Sequence, residues 1–127
     1  MTLIRCQGHS TACRVMFSTK RRNMYHVLFS LTVDCPHSEE GGYELACELI
    51  VPIPPYIGME IYHSGTDMTV AYLSIEYDQI NKPKIVCVLN EIEDAHIEFV
   101  KHLYLNGWHL NPDHYHADDI KRIGQTL

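Results

Sequence analysis

Nine histidines are the most chemically suggestive residues of this chain. His109, His114 and His116 stand close together near its end. His114 and Asp118 are one helical turn apart. On a helix they would share a face and hold a metal ion between them, with His109 and His116 reaching in from nearby. Neutral imidazole and carboxylate suit zinc or a similar divalent ion, which would make the chain a metal-dependent enzyme or a metal-binding protein. The spacing matches no established metal signature, however, and polar residues at the start of a helix are a plainer account.

A second cluster joins Cys6, His9 and Cys13, with Cys35 and His37 as further ligands for a structural zinc. No CxxC pair is present, and Cys13 falls on the apolar side of a strand-like run. The five cysteines are odd in number and read as reduced thiols acting as small hydrophobes. No cofactor is required by these residues.

Anion binding has a candidate in the polar stretch Lys20-Arg21-Arg22, with Arg14 and His26 in reach on the flanking runs. Such a tip can grip a phosphate, a nucleotide or a carboxylate. A solvated turn explains the same charges. For catalysis there is no G-x-S-x-G elbow and no glycine-rich phosphate loop. The acidic pairs Glu39-Glu40, Glu91/Glu93 and Asp118-Asp119 fall in loops or at helix starts, where capping or solvation suffices. No catalytic residue is assigned. Among eight tyrosines, Tyr56, Tyr62 and Tyr72 are candidates for a contact surface, because tyrosine offers area with little entropy loss and a polar tip. Tyr62 and Tyr72 are expected as cross-strand neighbours.

The elements that must carry these residues are mostly strands. Ala71, Leu73, Ile75 and Tyr77 alternate with Tyr72, Ser74 and Glu76, the period of two of a half-buried strand over 69–77. The same signature covers 11–17, 25–33, 43–51, 59–62 and 84–89, with a shorter one near Thr2 to Ile4. Prolines at 52, 54 and 55 end one strand, and Pro83 closes a turn before another. After the strands the periodicity changes. Ile92, Ala95, Phe99 and Leu103 repeat at helical spacing, and Asn90 with Glu93 resembles a capping box opening a helix over 91–105. Asn106-Gly107 stops it. Asn111-Pro112-Asp113 reads as the start of a short C-terminal helix that ends at Gly124.

The expected architecture is α+β in one domain over 1–127. An antiparallel meander of five to six strands, or a partly closed barrel, precedes one capped helix and a short C-terminal helix. With 46% hydrophobic and 20% charged residues the composition is that of a folded chain. The net charge of −6 argues against general nucleic-acid or membrane-surface binding. The lack of a long apolar run and of an apolar N-terminal region leads to the expectation of a soluble cytoplasmic protein. The functional expectation is a non-enzymatic binding domain. It would self-associate as a homo-oligomer and engage a protein or a small polar or anionic ligand through a sheet face, a subunit interface or the basic tip. The rival readings are the zinc-type protein and a nucleotide or nucleic-acid binder using Lys20, Arg21 and Arg22.

Overall fold

The computed structural model describes residues 2–5, 24–77 and 83–127, the first of these through the backbone. Arg14, Lys20, Arg21 and Arg22, the strand expected over 11–17, and Cys6, His9 and Cys13 lie outside the described residues. The chain is α+β. In order, the elements are β1 (Thr2–Arg5), β2 (Tyr25–Asp34), β3 (Gly42–Val51), β4 (Glu60–His63), β5 (Thr66–Tyr77), β6 (Pro83–Leu89), α1 (Ile97–Leu105), β7 (His109–Leu110) and α2 (Ala117–Gly124). Among the described residues no helix is long and apolar enough to cross a membrane.

Two compact units divide the chain. The first comprises Met1–Phe29 and Glu48–Asn90, the second Ser30–Cys47 and Glu91–Leu127. Strands β2 and β3 contribute residues to both.

In the first unit, hydrogen-bonded neighbours run β1-β4-β5-β6-β2. β4 and β5 form a two-residue hairpin in which His63 opposes Thr66. Ser64 and Gly65 sit at φ 55° and 78°, the double positive φ that a tight primed turn demands. β5 continues against β6 with Leu73 opposite Cys87, Ile75 opposite Ile85 and Tyr77 opposite Pro83, after an irregularity between Val70 and Tyr72. Val27, Phe29, Val51, Met59, Ile61, Met68, Val70, Cys87 and Leu89 are buried.

In the second unit the order is β2-β3-β7, with Leu45 opposite Leu110 and Ala46 opposite His109. Leu31, Val33, Tyr43, Leu45, Val100, Leu103, Trp108 and Ile123 are buried. Gly107 at φ 99° turns the chain sharply after α1, so the N–H of Trp108 reaches the carbonyl of Leu103 at 3.1 Å. This left-handed stop is the one the Asn106-Gly107 pair leads one to expect.

Three expectations are corrected. The sheet is mixed rather than purely antiparallel, and β6 neighbours β2 rather than closing a simple meander. Helix α1 begins at Ile97, not at Glu91. The backbone of Ile92 is engaged by the end of β2: Ile92 bridges Val33 in parallel, its N–H donates to Thr32, and the Asp34 N–H donates to its carbonyl. The Ala95 N–H also donates to Asp34. Those groups are therefore taken before a helix can form, and Asp94 at φ 52° turns the chain toward α1. Helix α2 likewise begins at Ala117 rather than beside Pro112. Asn111 caps a turn instead, its side-chain carbonyl accepting from the Asp113 N–H at 3.0 Å and its backbone carbonyl from His114 and Tyr115.

Candidate functional site

β4 accompanies β5 only as far as Thr69, which opposes Glu60. Val70 still exchanges backbone hydrogen bonds with Gly58 and Met59. From Tyr72 to Tyr77 β5 pairs with β6, and among the described residues the other edge of this segment carries no strand. Both of its faces are wet. Tyr72 is 69% exposed, Ile75 58%, Tyr77 68% and Leu73 38%. Alternation correctly separates the two faces, yet Leu73, Ile75 and Tyr77 do not face a core as expected. An exposed strand with a bare edge and apolar side chains is a template for pairing.

Of the three tyrosines picked from the sequence, Tyr72 is the one that is strongly exposed, whereas Tyr56 and Tyr62 are half-buried. Tyr62 and Tyr72 are not cross-strand neighbours, because the register places Asp67 opposite Tyr62.

His26 lies exposed near the start of β2 and lines a cavity of about 410 Å³ together with Leu28, Glu48, Ile50 and Lys84. The sequence singled out His26 but neither Glu48 nor Lys84. These three residues come from three strands far apart in the chain, and no local spacing connects them. His26, Glu48 and Lys84 make no hydrogen bond or ion pair with one another.

The C-terminal residues do not assemble into a metal site. His109 lies on β7 with its Nδ1 3.2 Å from the Leu110 carbonyl oxygen. His114 sits in the turn before α2, edge-on to Tyr115. His116 is the N-cap of α2 with no side-chain capping bond, and Asp118 follows in its first turn. Since α2 starts after His114, the one-turn spacing to Asp118 loses its meaning. Among the described residues no three His, Cys, Asp or Glu side chains are placed to hold a metal ion.

Other polar residues of the second unit secure its loops. The Tyr115 hydroxyl accepts from the Glu44 N–H at 3.0 Å. The Thr32 hydroxyl donates to the Glu44 carboxylate at 2.8 Å. Arg122 binds both carboxylate oxygens of Glu40, at 2.8 and 3.4 Å, and Asp119 at 3.4 Å. These hydrogen bonds raise the pKa of the guanidinium. In the first unit, burial pushes the Cys87 thiol up to about 11, which leaves it protonated and inert near neutral pH. His63 is 7% exposed and burial lowers its pKa. Its Nδ1 lies 2.7 Å from the Ser64 hydroxyl. Cys35 and Cys47 are also buried, as expected for core cysteines.

No known protein family, curated protein or solved structure matches the chain.

Proposed function

We propose that this protein is a non-enzymatic interaction domain that pairs with a second copy of itself through the outer half of β5. The observation that carries this reading is the segment Tyr72–Tyr77, whose outer edge carries no strand among the described residues and which exposes Leu73, Ile75 and Tyr77 on one face and Tyr72 on the other. Unpaired backbone donors and acceptors along an edge favour strand addition, and exposed aliphatic and aromatic side chains add burial on contact.

The sequence of the segment is self-complementary, which selects a second copy over an unrelated strand. In an antiparallel pair about a two-fold axis at Ile75, Ile75 faces its own counterpart and Leu73 faces Tyr77. Residues directly opposite share a face, so the row Leu73-Ile75-Tyr77 of each copy meets its equal. On the other face Ser74 meets Glu76, and no like charges within 72–77 are opposed.

Light scattering of the purified chain tests this. Wild type is expected at twice the 14.7 kDa of one chain, and Ile75→Asp at the mass of a single chain. A wild-type protein that remains a monomer at hundreds of micromolar refutes the reading.

A further inference from the structure

The cavity beside His26 measures about 410 Å³, within the roughly 300–1,000 Å³ of small-molecule sites. Leu28 and Ile50 give it an apolar lining, and Ile50 is 57% exposed and open to contact. Three chargeable side chains surround that lining: Lys84 from β6, His26 from β2 and Glu48 from β3. The strands are neighbours in the order β6-β2-β3. Adjacent strands lie about 4.8 Å apart, so the strands that carry Lys84 and Glu48 lie roughly 10 Å apart across the sheet. They form no salt bridge with each other.

The geometry points to a zwitterionic α-amino acid with an aliphatic side chain as the occupant of this cavity. Its carboxylate accepts from the Lys84 ammonium, with His26 between the strands as a second donor. Its ammonium donates to Glu48. Two charge-assisted hydrogen bonds of about 2.8 Å each, plus a ligand width of roughly 3 Å, are on the scale of the spacing between the two outer strands. The aliphatic side chain lies on Leu28 and Ile50.

A ligand of single charge fits less well. A simple carboxylate meets Glu48 on one flank and Glu76 on the other, since Glu76 opposes Lys84 in the β5–β6 ladder. A simple amine meets Lys84 in the same way. The ligand chemistry is thus set by the order cation, imidazole, carboxylate across three strands. It does not depend on self-association, because every residue invoked belongs to one copy.

Isothermal titration of the full chain provides the test, with L-leucine, 4-methylpentanoate (no ammonium) and leucinamide (no carboxylate) as probes. Saturable binding of leucine is expected, with both analogues at least ~10-fold weaker, the scale of losing one charge-assisted hydrogen bond. Glu48→Gln should weaken leucine about 10-fold and, by removing the opposed charge, bind 4-methylpentanoate no more weakly than wild type does. Lys84→Met should weaken leucine similarly and, by removing the like charge, bind leucinamide no more weakly than wild type does. The Ile75→Asp chain should bind leucine as wild type does, which keeps this result separate from that of the mass measurement. The inference is overturned if leucine gives no saturable binding, if 4-methylpentanoate binds as tightly as leucine, or if Glu48→Gln weakens both ligands alike.

Discussion

The hydroxyl of Tyr115 takes the place of a strand partner for Glu44. The Glu44 carbonyl accepts from the Asn111 N–H at 2.9 Å, while its N–H donates to the phenolic oxygen at 3.0 Å. β7 pairs only Leu45 and Ala46, so a side chain from beyond it completes the edge of β3. Tyr115→Phe keeps the ring and removes the acceptor, leaving the Glu44 N–H without its partner. The expected loss is about 1 kcal/mol of stability, read as a lower urea midpoint at unchanged m-value. An unchanged midpoint would mean that water serves Glu44 equally well.

His63 makes stability depend on pH. Burial lowers its folded pKa below the ordinary 6.5, so the unfolded chain binds a proton more readily than the folded one. Stability then rises with pH where the unfolded state holds more protons, and falls as pH drops through about 6.5 and below. Urea midpoints at pH 7 and pH 5 should therefore differ in favour of pH 7. In His63→Gln that difference should shrink. If the two proteins show the same pH dependence, another group carries it.

Helix α1 shows how far the sequence could be read. Of the apolar positions Ile92, Ala95, Phe99 and Leu103, the last two do lie on α1 and Leu103 is buried, whereas Ile92 and Ala95 precede the helix. Its stop at Asn106-Gly107 was legible too, because the signal is local. Its start was not. Asn90 and Glu93 satisfy a capping pattern, but capping competes with partners that local sequence does not reveal, and here the end of β2 wins the backbone of Ile92. His96 is the N-cap instead, its Nδ1 accepting from the Glu98 N–H at 3.2 Å. Since Asp is a stronger N-cap, His96→Asp should stabilise the chain by about 0.5–1 kcal/mol. Asn90→Ala, which would cost about 1 kcal/mol if Asn90 capped the helix, should leave the melting temperature nearly unchanged. The opposite ranking of the two variants would restore the helix start suggested by the sequence.

The same distinction governs the sites. A period of two in β5 tells which side chains share a face, but not whether anything lies over that face. Leu73, Ile75 and Tyr77 alternate like core residues and are nonetheless exposed. His26 drew notice as a histidine beside a basic stretch. Glu48 and Lys84 gave no such signal, because only the neighbouring of β6, β2 and β3 brings them to one cavity. The C-terminal histidines erred in the other direction. Their spacing suggested a shared helix face, and the delayed start of α2 removed it.

The proposed pairing of β5 fixes a register, and the register can be tested by charge. With the two-fold axis at Ile75, position 75 of one copy lies directly opposite position 75 of the other, with side chains about 5 Å apart. Ile75→Lys places two ammonium groups face to face and should give a monomer. Ile75→Glu places two carboxylates there and should do the same. Mixed in equal amounts, the two variants put Lys against Glu and should recover a heterodimer, visible in native mass spectrometry as one mixed species. An axis shifted to Ser74 would instead oppose position 75 to Leu73 and Tyr72 to Glu76. Each charged variant would then dimerise by itself, and mixing would confer no preference for the hetero pair. A mixed species that does not exceed the random proportion would therefore exclude the Ile75-centred register, even if the wild-type chain is dimeric.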